Sequence, residues 1–200
     1  MSTCNEHPTI HTMNNSKPRK VIFDTDPGVD DAMALYYALA HPGIDVIGIT
    51  TTFGNVWVEQ ATSNALYLCA LAGRQVPVAQ GAARPRVKLA EPPPDFIHGA
   101  DGLGNLTQRW PSTNKADTRP AAQFIVDLAR KYPGEVSLVA VGPLGNLAAA
   151  LQLDPELPTL VHEVILMGGT VIESGNVSPV AEANIWNDPH AADIVFTAGW

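Results

Sequence analysis

Cysteine is nearly absent from this chain: Cys4 and Cys69 are the only two among 200 residues. Two thiols cannot form the multi-bridge framework of a small secreted scaffold, so the expected setting is reducing, and cytoplasmic. Long apolar runs are missing as well. No stretch of about 18 apolar residues occurs, which argues against a membrane-spanning helix. Residues 1–18 are polar and lack the apolar centre of a signal peptide. Positive charge is scarce: 12 Lys and Arg stand against 20 Asp and Glu, a net charge of −8 with a pI near 5.1. That is the wrong sign for a nucleic-acid surface. No lysine follows any glycine run, so a Walker-type phosphate loop is excluded. There is no internal repeat and no evident domain boundary. What remains is ordinary for one domain with a sizeable core, with 46% apolar residues. The expected division is a disordered tail over residues 1–18 and a single domain over 19–200. His7 and His11 then belong to the tail and are not metal ligands.

Against that background, one stretch is crowded with acid. Val21-Ile22-Phe23 reads as a buried strand and runs into Asp24-Thr25-Asp26-Pro27-Gly28-Val29-Asp30-Asp31. Pro27-Gly28 cannot continue the strand, and a helical pattern begins after Asp31. Four carboxylates therefore share one strand-to-helix junction. Like charges this close cannot all stay ionised without a cation, and an Asp-only donor set suits calcium or magnesium rather than zinc. A purely structural account makes Asp30 an N-cap and Asp31 a first-turn acid. It leaves Asp26 without a task.

Further along, strands and helices alternate. A helix is expected over 31–40, a strand over 45–51, a helix over 57–72 and a short strand over 75–79. Residues 80–117 are rich in Pro, Gly and charge and read as a long loop, with Pro92-Pro93-Pro94 and His98-Gly99; its glycines suit a mobile lid. A helix capped at Asp117/Thr118, with Pro120 just inside, runs to about 132. Strands at 136–141 and 163–167 flank an alanine-rich helix ending near 153. Residues 170–187 are expected as a loop carrying Glu173, Asn176, Glu182 and Asn184, and Asp188-Pro189 starts a last helix. Such alternation predicts an α/β fold: an open, mainly parallel, Rossmann-like sheet with helices on both faces. In parallel strands the polar turns at 24–31, 51–55, 141–146 and 167–187 gather on one rim, where such folds bind ligands. Asn and Glu beside a metal suit recognition of hydroxyls, as on a sugar; an isolated Asn in a turn is ordinary turn chemistry.

The acidic junction resembles the signature of the inosine–uridine preferring nucleoside hydrolases. The resemblance continues through Thr50-Thr51-Thr52-Phe53-Gly54-Asn55, Ile97-His98-Gly99, Val141-Gly142-Pro143-Leu144, Met167-Gly168-Gly169, Gly175-Asn176, Pro179-Val180-Ala181-Glu182-Ala183-Asn184-Ile185 and Asn187-Asp188-Pro189, covering residues 19–200. It implies the nucleoside hydrolase fold, with one calcium ion at the rim and cleavage of the N-glycosidic bond of ribonucleosides to ribose and free base. By that analogy Asp26 and Asp31 ligate calcium through their side chains and Val141 through its carbonyl, a role that tolerates Val where relatives often have Thr. Asp30, Asn55, Asn176, Glu182 and Asn184 hold the ribose hydroxyls; Met167 and His98 lie near the substrate. Asp26 is the general base toward a water whose pKa the metal lowers. A homodimer or homotetramer is implied, with a small-molecule ribonucleoside as partner and neither nucleic acid nor membrane.

Members of that family continue past the position matching Trp200. The part beyond supplies a further strand, a third calcium-ligating Asp and a His that protonates the leaving base. His190, at a helix start, does not match that His. The expectation is therefore a nucleoside hydrolase domain incomplete at its C-terminus, with a non-catalytic ribose- or nucleoside-binding form as the second reading. A haloacid-dehalogenase-like phosphatase also places Asp-x-Asp after an apolar strand. It wants Thr or Val four residues after the first Asp, where this chain has Gly28.

Overall fold

The middle strand of the sheet is β1 (Arg19–Thr25), whose Val21, Ile22 and Phe23 are all buried. A strand apolar at successive positions is one covered on both faces. In this computed structural model, which describes residues 17–109, 112 and 114–200, α1 (Val29–Ala40) follows and leads into β2 (Ile44–Thr51), α2 (Val58–Leu71) and the short β3 (Val78–Gln80). The chain then crosses back through α3 (Asp95–His98) and α4 (Ala121–Lys131) to β4 (Val136–Ala140), α5 (Gly145–Leu153), α6 (Leu157–Leu160) and β5 (Glu163–Leu166). Two helices close the sequence, α7 (Ala183–Asn187) and α8 (Pro189–Phe196). All pairings are parallel and the order is β3-β2-β1-β4-β5. The direction of winding reverses between β1 and β4, so the crevice for a ligand is expected at the carboxyl ends of those two strands.

Alternation along the pleat sends neighbouring residues to opposite faces. Val21, Phe23, Val46 and Ile49 pack with Leu35 and Leu39 of α1 and Ala65 and Leu68 of α2. Ile22, Leu138 and Ala140 pack on the other side with Ile125 of α4, Leu147 of α5, Leu157 of α6 and Val195 of α8. Each fully buried side chain of this size contributes about 1.5–3 kcal/mol, so the two layers together fix β1 rigidly between them. At one point the sheet makes room for a helix. Between Val21 and Ile22 the partner on β2 jumps from Val46 to Gly48, and a Cβ on Gly48 would lie 2.4 Å from the Phe124 ring of α4.

The sheet and its helices on both faces match the expected class, and the differences are local. Helix α4 starts later than expected, with Pro120 as its N-cap. Asp117 cannot cap it because its carboxylate is held by Arg119 at 2.7 Å and its backbone N–H donates to Val78 on β3. The stretch 170–187 is not loop throughout. Glu182 accepts hydrogen bonds from the Asn184 and Ile185 N–H groups and so nucleates α7. The segment 80–117 contains α3, and beyond that helix Asp101 folds the chain around its carboxylate, accepting from the N–H groups of Leu103, Asn105 and Leu106. The last helix begins as expected, Asp188 accepting from Ala191 N–H at 3.0 Å. Of the expected tail, residues 1–16 lie outside the described residues. Among the described residues, no helix is long and apolar enough to cross a membrane.

Candidate active site

The turn from β1 into α1 is built by its own acids. Asp31 is buried in the first turn of α1, where the helix dipole favours an anion. It accepts from Gly28 N–H (3.2 Å), Thr25 Oγ1 (3.1 Å) and Asn55 Nδ2 (2.8 Å). Asn55, from the loop after β2, also donates its backbone N–H to Asp26 Oδ2 at 2.7 Å. The other oxygen, Asp26 Oδ1, has no hydrogen-bond partner although Asp26 is only 1% exposed. Two glycines pack closely against this carboxylate. A Cβ on Gly54 would stand 1.9 Å from Oδ2, and one on Gly142, just past β4, would stand 2.6 Å from Oδ1.

One residue pair deeper, Asp24 accepts from Thr50 Oγ1 and from Asn146 Nδ2, and its Oδ2 is also unpartnered. Asn146 sits at the start of α5, donates to Thr51 O and accepts from Ala82 N–H, which ties the ends of β1, β2 and β3 together. Burial pushes the Asp24 carboxyl up to about 6. Burial, with the nearby Asp31 charge added, drives Asp26 well above the usual carboxylate range. Asp31 is raised by burial and then by Asp30. A buried acid with a free oxygen and a raised pKa is a group prepared for a cation or for proton transfer. Among the described residues, no three His, Cys, Asp or Glu side chains converge as a ligand set. The donors on offer are two carboxylates and the main-chain oxygen of Val141. That oxygen already accepts from Asn184 Nδ2 at 2.9 Å and keeps a second lone pair. Hard oxygen donors of this kind fit calcium.

Above the turn opens a cleft of about 730 Å³, and every expected site residue except Asp26 lines it: Asp30, Asp31, Asn55, His98, Val141, Met167, Asn176, Glu182 and Asn184. Asp26 lies buried beneath it. Their surroundings differ. Asn184 is held by Val141 O and Met167 O, both at 2.9 Å, which aims its side chain across the ends of β4 and β5. Asn176 Oδ1 accepts from Ala183 N–H, and Glu182 Oε2 accepts from Gly169 N–H, so both also shape the loop that carries them. The Asp30 side chain is 81% exposed and has His98 Nδ1 at 3.8 Å. His98 Nδ1 accepts from Val29 N–H at 3.3 Å, which seats α3 on the start of α1. Sequence reasoning missed the apolar wall facing these groups: Trp57, Phe96, Ile97 and Trp186 together with Pro92, Pro93 and Pro94. The proline run and His98 pointed toward that wall; nothing marked the two tryptophans.

The family model described as inosine-uridine preferring nucleoside hydrolase matches residues 21–200. A probable uridine nucleosidase of Oryza sativa subsp. japonica is 50% identical over 182 residues, covering 90% of this chain and 56% of the relative. The inosine-uridine preferring nucleoside hydrolase of Leishmania major is 43% identical, covering 92% of this chain and 58% of the relative. Among solved structures, a purine-preferring ribonucleoside hydrolase from Gardnerella vaginalis superimposes with a TM-score of 0.87 at 42% identity, over 90% of this chain and 58% of that one. The chain thus spans a little over half the length of the relatives it matches.

Proposed function

This chain belongs to the inosine-uridine preferring nucleoside hydrolase family, and from that premise we propose that the protein carrying it hydrolyses the N-glycosidic bond of ribonucleosides, releasing ribose and a free base. The observation that carries the reading is the unpartnered Asp26 Oδ1, buried under a cleft whose rim bears the amides and acids of a sugar site. Calcium is the metal of choice for the donors present, with Asp26, Asp31 and the Val141 carbonyl as its holders. When bound there it supplies positive charge that orients a water and lowers its pKa.

The residues of the chain do the rest. Asp26 accepts the proton of the attacking water as general base. Asn55 fixes that carboxylate by bonding Oδ2, which leaves Oδ1 for the site. Asp30, Asn55, Asn176, Glu182 and Asn184 hold the ribose hydroxyls and so orient the anomeric carbon. As the bond to the base lengthens, positive charge develops on the sugar ring, and the acids along the cleft stabilise it. Met167 and His98 border the bound nucleoside, and the wall of Trp57, Phe96 and Trp186 offers an apolar surface for a flat base.

Ribose release from uridine and inosine tests the proposal. Hydrolysis is expected with calcium, and loss of at least about a thousandfold is expected for Asp26→Ala or after chelation. Undiminished turnover in Asp26→Ala would overturn it.

A further inference from the structure

Asn64 on α2 is fully buried and belongs to none of the roles above, yet every hydrogen-bonding valence of its amide is in use. Nδ2 donates to the Pro27 carbonyl at 3.0 Å and to the Asp101 carbonyl at 2.9 Å. Oδ1 accepts from Gln60 Nε2 and Arg109 Nη2, both at 2.8 Å. Pro27 lies between Asp26 and Asp31, and Asp101 lies three residues past His98. An Asn serving only as a loop anchor would address one segment. This one divides its two donors between the acidic turn and the loop beside the cleft.

Two further contacts close the same joint. Gly102 has φ +77, and a Cβ there would stand 2.9 Å from Pro27 O and 2.6 Å from Val56. The loop backbone is thus seated directly on the turn. On the other flank, His98 Nδ1 takes the Val29 N–H. The loop is itself a unit: the Asp101 carboxylate gathers the N–H groups of Leu103, Asn105 and Leu106 and the Arg109 guanidinium. We propose that Asn64 is a positioning residue that couples the 98–109 loop to the Asp26–Asp31 turn, so that ordering either one orders the other. Whatever tightens the turn then protects the loop, and by linkage the reverse holds by the same factor.

Amide hydrogen exchange on the full chain tests this. Asn64→Asp keeps the shape and both acceptor contacts but has no N–H to give Pro27 or Asp101. The amides of residues 102–106 and of residues 28–32 are expected to exchange about tenfold faster together, with residues 126–130 of α4 unchanged. Gly102→Ala keeps the Asn64 amide in the sequence but drives a methyl to 2.9 Å from both Asn64 Nδ2 and Pro27 O, which wedges the loop off the joint; it is expected to give the same paired pattern and carries the test should Asn64→Asp fail to fold. Acceleration confined to the loop, with the turn unchanged, overturns the proposal. Calcium chloride supplies a second readout, which alone rests on the metal reading of the turn. Wild type gains protection in both segments, and Asn64→Asp gains it in the turn only; protection of both segments in Asn64→Asp would overturn the coupling. Absence of any calcium effect on wild type counts against the metal reading, while the exchange pattern without metal still decides the coupling.

Discussion

Asp26 has one oxygen bonded to the Asn55 amide and one without a protein partner, so it can be held in place and still take part in chemistry. Its two glycine neighbours set how little room it has. In Gly142→Ala the new Cβ would come 2.6 Å from Oδ1 and 2.9 Å from the Thr52 methyl, and the carboxylate cannot retreat because Oδ2 is tied to Asn55. Calcium affinity measured by calorimetry is expected to fall about tenfold or more, the scale of a small-to-large strain of about 1–3 kcal/mol. Equal affinity in the variant would contradict the cradle. At this scale the site was partly legible. The acids announced themselves because four carboxylates in eight residues need an explanation. Asn64 did not, since an Asn inside a helical pattern looks like an ordinary surface residue until the fold buries it, and Asn146 was legible only as part of a polar turn, without its bond to Asp24.

Among the elements, β3 shows how a short edge is secured. Only Val78–Gln80 pair as strand, and the backbone of Asp117 adds a further contact through Val78. Arg119 holds the Asp117 carboxyl down to about 2, so the pair contributes stability above the unfolded carboxylate pKa and loses it as pH falls toward 2. Asp117→Asn is expected to lose about 1 kcal/mol at pH 7, a modest figure because solvent screens the partly exposed pair. In urea titrations its gap from wild type should close between about pH 4 and pH 2, in the window between the unfolded and folded pKa values; a gap independent of pH would rule out the ion pair as its cause. Most elements were readable from apolar runs stopped by Gly and Pro, as at Pro42-Gly43 and Pro133-Gly134. Helix α7 was not, because a single turn set by the side chain of Glu182 leaves no periodic trace.

For the whole molecule, a parallel sheet with helices on both faces followed from the alternation of strands and helices. The order β3-β2-β1-β4-β5 did not, because it rests on pairings such as Asp24 with Ala140 that no local pattern contains. That order is what brings the ends of β1, β2 and β4 around Asp26. An ion bound only by the folded chain stabilises it by mass action, about 2.7 kcal/mol at a concentration about one hundred times the dissociation constant. The thermal midpoint is therefore expected to rise with added calcium chloride in wild type and to stay flat in Asp31→Asn. A rise of equal size in both would place the ion elsewhere.

The buried acids at the end of β1 also limit how the protein can be made hardier. Asp24 and Asp26 each carry an oxygen with no partner, and removing such an unmet charge is a ready route to a tougher fold. Laboratory evolution for heat resistance under chelation would reach Asp24→Asn and Asp26→Asn early. Of the two, Asp26→Asn would be durable and, on the proposed function, inert, because the oxygen whose lack of a partner weakens the fold is the one assigned to the attacking water.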